Sequence, residues 1–200
     1  MDVTPTDGLL AFAAFAAVGS FTPGPNTMLA LATGARFGWR RVGPHALGVT
    51  VGFSTILGLA AAGAAAVLLA APAAAGALRL AGVAWLLWLA WKVARGGGPG
   101  DRAVDRPLAA WQSALLQLVN AKGWMLGLAV AATWLGGSGA TGPRAAVAVG
   151  TFAATNVAAI YAWAGLGASL QAWLAHGRRR AAFDAAMGVA LAASALAMLA

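Results

Sequence analysis

Six long apolar runs, joined by short loops that hold nearly all the arginines, constrain this chain more than any other feature. A helix crossing a bilayer needs about 20 predominantly apolar residues. Runs of that order lie at about residues 8–34, 44–70, 74–94, 108–135, 144–174 and 181–199. Hydrophobic residues make up 61% of the 200 and charged residues 9%, against about 25% charged in a soluble domain. Such a chain cannot cover its own surface for water and needs lipid as solvent. The runs show no alternation of polar and apolar residues, which excludes a closed barrel. Glycine and alanine fill them, and small residues let helix backbones approach closely in lipid. The fold class expected is therefore all-α: one polytopic membrane domain, residues 1–200, with six transmembrane helices.

The charge pattern orients the helices. The net charge is +8, but no aromatic-interleaved basic module points to nucleic acid. The first loop carries Arg36, Arg40 and Arg41. The third carries Arg95, Arg102 and Arg106, with Lys92 at its edge, and the fifth carries Arg178, Arg179 and Arg180. The second and fourth loops have only Arg79 and Arg144 near their ends. The positive-inside bias places the odd loops in the cytoplasm and both termini outside. The chain start has Asp2 and Asp7 and no Lys or Arg before the first apolar run, unlike a cleavable signal.

The longest connection, about 95–107, contains Gly96-Gly97-Gly98-Pro99-Gly100, a linker composition. It divides the helices three and three, about 8–94 and 108–199. The first half enters the bilayer from outside and the second from inside, so the halves are expected to be inverted repeats.

The opening helix of each half is interrupted by polar residues. In the first lies Thr22-Pro23-Gly24-Pro25-Asn26. Two prolines remove two backbone donors and clash with the preceding turn. Freed carbonyls in lipid must be satisfied, so such a break faces protein or a wet cavity. A plain proline kink is the alternative, and one proline would fit it better than two. In the fourth helix lies Gln117-Leu118-Val119-Asn120-Ala121-Lys122-Gly123-Trp124. Lys122 is about 18 Å from either helix end, too far for easy snorkelling. A lysine there costs about 3 kcal/mol on insertion scales and marks a substrate or ion path. Gln117 and Asn120 share a face, while Lys122 lies about 200° from Asn120 on an ideal helix. All three facing one cavity requires a local break. Paired interruptions of this kind point to a transporter's binding site, and half-helix N-termini there suit an anionic group such as a carboxylate.

At these residues the chain resembles the lysine exporter family, also called the LysE or RhtB family of amino-acid exporters. The resemblance covers nearly the whole chain. Its most specific part is Thr22-Pro23-Gly24-Pro25-Asn26 followed by Gly34 and a basic loop. Glycines at 43, 48 and 52 follow, then Trp85-Leu86-Leu87-Trp88-Leu89-Ala90-Trp91-Lys92. The family's Asn-Pro-Lys is matched by Asn120-Ala121-Lys122, with the proline missing. The resemblance implies export of amino acids or related metabolites across the bacterial inner membrane, driven by the proton gradient and without a cofactor. Family substrates include lysine, arginine, threonine, homoserine, leucine and cysteine derivatives.

The candidate substrate-binding residues are thus Thr22, Pro23, Gly24, Pro25, Asn26, Gln117, Asn120 and Lys122. Asn156, mid-way in the fifth helix, either lines the same site or hydrogen-bonds across helices. His45 reads as an interfacial histidine. Trp85, Trp88 and Trp91 read as a packing or lipid-facing stripe, and Asp184 as a residue near the cytoplasmic surface. Lys122 is the one formally charged group expected near the midplane, so a neutral zwitterion fits better than a dibasic amino acid, whose second cation would meet no carboxylate. Two other classes stay open: an ion or metal exporter, which would need anionic oxygen ligands the midplane lacks, and a non-transporting assembly subunit. No carboxylate pair or His-Glu zinc spacing supports an enzyme. The partners expected are a small amino acid and the bilayer, with self-association left open.

The orientation is open to direct test. Reporter fusions after Arg41, Arg102 and Arg179 should all read cytoplasmic, and a periplasmic signal at any one of them breaks the six-helix arrangement or its direction.

Overall fold

The structure, a computed structural model, describes residues 5–63, 72–95, 106–135 and 142–199. Every regular element among them is helical. Helix α1 (Pro5–Phe21) is followed after a three-residue break by α2 (Pro25–Phe37). A 3-10 turn at Trp39–Val42 leads into α3 (Gly43–Ala61), and α4 is Pro72–Ala94. The second half begins with α5 (Ala110–Leu118) and α6 (Ala121–Val130), the latter continued by a π-helical turn at Ala131–Leu135. Helix α7 is Gly142–Ser169 and α8 is Gly177–Leu196, with a 3-10 turn at Trp173–Ala175 between them.

The expected first and fourth spans are each two helices, bent by 58° and 68° at their breaks. Trp39–Ala61 and Gly142–Ser169 are long and apolar enough to cross a membrane, and each bent pair qualifies if taken as one span. Length and hydropathy among the described residues therefore give two to four spans. Helices α4 and α8, of 23 and 20 residues, complete the bundle. The second span, expected to reach 70, ends its helix at Ala61. Gly63 then turns at φ +85°, a conformation open chiefly to glycine. The rest of that run (64–70) and the Gly96–Gly100 linker lie outside the described residues. The fifth helix stops at Ser169, short of 174, because the chain tightens into a 3-10 turn.

Large apolar side chains point outward, among them Leu10 at 71% exposure and Val189 at 69%. A surface of this kind belongs in lipid. Inside, Phe12 of α1, Phe53 of α3 and Phe152 of α7 pack as one aromatic group. Leu29 of α2, Leu86 of α4, Leu116 of α5 and Leu191 of α8 form another cluster. The closest approaches are backbone to backbone through glycine. A Cβ on Gly34 of α2 would lie 1.9 Å from the Ala164 carbonyl oxygen of α7, and one on Gly167 of α7 2.0 Å from that of Leu31 of α2. Gly48 of α3 brings that helix equally close to Ala110 of α5, and Gly188 of α8 rests on Ala90 and Ala94 of α4. The three most extensive helix pairs are α2 with α7, α3 with α5, and α4 with α8. Without lipid-driven attraction between helices, such close contact supplies the dispersion energy that holds a bundle together.

At one end of the bundle, Arg36 of α2, Lys92 of α4, Arg106 ahead of α5 and Arg180 of α8 line a cavity of about 550 Å³. The basic residues of the first, third and fifth loops thus meet at the same end.

Gly167→Ala should destabilise the purified protein by at least about 1–3 kcal/mol, since backbone must move to admit one methyl group. Gly150→Ala, where a Cβ meets nothing within 4 Å, should leave the melting temperature in detergent unchanged.

Candidate functional site

The first break begins with a missing hydrogen bond. In a continuous helix the Phe21 carbonyl would accept from residue 25, but Pro25 has no N–H. The indole of Trp163 on α7 donates to that carbonyl instead, at 3.1 Å. The next carbonyl, Thr22, accepts from the ammonium of Lys122 at 2.7 Å. Gly24 is extended and starts α2. Its N–H donates to the Thr27 hydroxyl oxygen at 2.9 Å, and Thr27 donates back to the Gly24 carbonyl at 3.0 Å.

The second break uses the same chemistry without proline. The Leu118 carbonyl would accept from the Lys122 N–H, but that N–H donates to Asn120 Oδ1 at 3.2 Å. Asn120 is the N-cap of α6, its side chain replacing the lost helical acceptor. An indole again takes the freed carbonyl: Trp124 donates to Leu118 at 2.7 Å. The Asn120 cap therefore ends α5 and starts α6, and the absent proline is not needed. The bend also removes the angular separation that an ideal helix puts between Asn120 and Lys122.

One bond fixes the orientation of three amides. Asn120 Oδ1 accepts a backbone N–H, so its Nδ2 is the donor to Gln117 Oε1, at 3.2 Å. Gln117 Oε1 also accepts from Asn26 Nδ2. Asn26 Oδ1 is then left buried without a partner, and so is Asn156 Nδ2 on α7. Buried polar atoms are normally paired. Here an acceptor and a donor are both held in reserve at one place.

That place is a cavity of about 40 Å³ lined by Thr22, Gly24, Pro25, Asn26, Gln117, Asn120, Lys122 and Asn156. Eight of the nine residues singled out from the sequence surround it; Pro23 does not. Asn156 both lines the cavity and keeps its amide nitrogen unbonded. The N-termini of α2 and α6 open on it from opposite halves of the chain, each carrying unpaired amides and a partial positive charge. Gly123 admits Gln117, whose Nε2 would lie 2.8 Å from a Cβ there. Val49, Phe53 and Ile160 supply apolar wall.

His45 is buried inside the bundle. It is 1% exposed, its Nε2 donating to the Asn26 carbonyl at 3.0 Å and its Nδ1 accepting from the Ser113 hydroxyl at 2.8 Å. It ties the first turn of α3 to α2 and α5. Asp184 is also buried, at 6% exposure, and pairs with Arg180 at 3.1 Å. Sequence reading missed the supporting polar residues Ser20, Thr27 and Ser113 and the two indoles. Tryptophan in an apolar run normally signals packing, and nothing local marks its N–H as needed elsewhere.

The LysE type translocator family matches residues 17–200. The chain belongs to this family. It is 34% identical over 133 residues to the cysteine/O-acetylserine efflux protein of Escherichia coli strain K12, covering 66% of this chain and 68% of that protein. The proteins of the same name from Escherichia coli O1:K1 and Shigella sonnei strain Ss046 match over the same extent at the same identity. No solved structure matches. This member of the LysE family is an amino-acid efflux transporter and not an enzyme. Among the described residues no group of three His, Asp or Glu side chains is placed to hold a metal ion.

Asn120→Ala should lower stability by about 1 kcal/mol through the lost cap. Asn120→Ser, which keeps an oxygen for the Lys122 N–H, should recover most of it; equal melting temperatures for the two variants would remove the cap as the cause of the break.

Proposed function

We propose that this LysE-family translocator exports neutral, zwitterionic amino acids or close analogues across the bacterial inner membrane, coupled to the proton gradient. One observation carries the reading: two broken helices, Lys122, and the unpartnered Asn26 Oδ1 and Asn156 Nδ2 converge on one cavity. The substrate carboxylate is met by Lys122, by Asn156 Nδ2 and by the half-helix amides. Charge-assisted bonds of this type are the strong ones. The substrate ammonium is met by Asn26 Oδ1 and by carbonyl oxygens at the first break. Among the described residues no carboxylate lines the cavity, so a second cation on a dibasic substrate is unpaired and costly. The relatives named for cysteine and O-acetylserine efflux handle neutral zwitterions, which agrees with this accounting.

At about 40 Å³ the cavity is contracted, with room for little more than water. Substrate entry must widen it and draw Lys122 away from the Thr22 carbonyl. The lysine thereby exchanges a bond that closes the first break for one to substrate. Coupling to the gradient then requires a proton to enter from the outer side as the substrate leaves, and Lys122 is the ionisable side chain of the cavity wall that can carry it inward.

The topology proposed is six spans in two inverted three-helix repeats, with both termini outside. Three features support it. Each half opens on a bent helix pair. Exchanging the halves maps α1–α7 and α2–α7 (first span on fifth) onto α5–α3 and α6–α3 (fourth on second), and α4–α8 onto itself. The basic residues of the odd loops share one cavity.

Uptake into proteoliposomes of inverted orientation should be measured with labelled leucine, threonine, O-acetylserine and lysine. At least one neutral substrate should move well, and lysine poorly. Lys122→Met should reduce transport on the order of a hundredfold, and Pro23→Ala with Pro25→Ala should abolish it while membrane insertion persists. Lysine moving best, or full transport by Lys122→Met, overturns the assignment.

A further inference from the structure

The 550 Å³ cavity at the basic end shares no residue with the midplane site. Leu29 and Leu116, buried at 4% and 1% exposure, belong to an apolar cluster beside it. Its described walls carry four cations against one carboxylate. Arg180 is committed to Asp184 and to the Ala35 carbonyl. Lys92 and Arg106 supply positive charge from the other side, on α4 and on the segment entering α5. The rest of the wall is apolar, with Leu89, Val93 and Leu108 beside the cations.

The depth of this cavity is marked by its neighbours. Lys92 Nζ stands 3.9 Å above the Trp88 ring, and Arg95 stands 4.3 Å from the Trp91 ring. Trp88 and Trp91 are 41% and 50% exposed. Exposed tryptophans paired with cations at a helix end are anchors at headgroup level. A cavity there with a basic rim and an apolar interior has the two-part chemistry of a phospholipid.

We propose that this cavity binds the phosphate-bearing headgroup of an anionic phospholipid, with Lys92 and Arg106 contacting the phosphate and the leucine and valine side chains meeting the glycerol and upper acyl chain. A net-neutral zwitterion gains little from a net positive wall, whereas a phosphodiester does. Basic pockets between membrane helices hold lipid headgroups on this principle. The site joins α2, α4, α5 and α8, so a bound lipid bridges the two halves of the chain.

The full-length protein in detergent should be titrated with dioleoylphosphatidylglycerol, dioleoylphosphatidylcholine and sn-glycerol 3-phosphate. Retained lipid is read by native mass spectrometry, and the melting temperature alongside. Phosphatidylglycerol should be retained and raise the melting temperature; phosphatidylcholine should do neither. Each cation removed should weaken retention about fivefold, and Lys92→Gln with Arg106→Gln on the order of thirtyfold. Arg79→Gln, exposed in the opposite half of α4, should bind as the parent does. If the double variant fails to fold, the single Arg106→Gln, outside any helix, still tests the fivefold loss. Equal retention of both lipids, undiminished binding by the variants, or displacement of phosphatidylglycerol by glycerol phosphate alone overturns the proposal, the last because it makes the site one for a soluble phosphate.

Discussion

Backbone carbonyls without helical partners are the constraint on which this structure turns. In an apolar medium each such oxygen is costly, because no water can replace the missing N–H. The chain opens two helices at mid-course and must close the account with side chains drawn from elsewhere. Two indoles and one ammonium do so, and the ammonium is Lys122. A lysine that would be expensive as an isolated charge in lipid is thus placed where a carbonyl requires a donor. The Lys122–Thr22 bond joins residues 100 positions apart and holds the ends of the two breaks together. The site is therefore a by-product of satisfying the backbone, with residual amide atoms facing inward.

How this was written in the sequence differs between the two breaks. Pro23 and Pro25 announce the first, since they remove N–H groups whatever the surroundings. The second carries no such mark, because Asn120 breaks the helix through a side-chain acceptor. Asparagine in a helix is ambiguous until its neighbours are placed. Lys122 was legible for another reason: its charge is out of place in an apolar run. Ser113 and Ser20 were not legible, since a hydroxyl can turn back on its own helix in any context. The partners of His45 were not legible either, because they come from other helices: α3 turns its first residues inward against Asn26 and Ser113. The helical class followed from composition alone, but the ends of the helices did not, because glycine and alanine continue through turns and helices alike.

The contracted cavity and the basic cavity differ in charge and size. The first is small, partly buried and balanced between one cation and several amide dipoles, which suits a compact zwitterion. The second is wide, lined with cations and set beside the exposed Trp88 and Trp91. An apolar cluster containing Leu29 and Leu116 adjoins the basic cavity, and these two side chains come from the same helices, α2 and α5, that carry Asn26 and Gln117.

The glycine-mediated contacts have a consequence for assembly. Every one of the three main pairings joins a helix from before the long connection to one from after it: α2 to α7, α3 to α5, α4 to α8. Among the described residues the first half of the chain has no comparably tight seam of its own. As it leaves the ribosome its grooves, shaped to receive another backbone, can meet only lipid. Packing must wait until the second half is threaded into the bilayer, and the last seam, where Gly188 rests on α4, closes only when α8 arrives. The helices before and after the long connection are interleaved like the fingers of clasped hands.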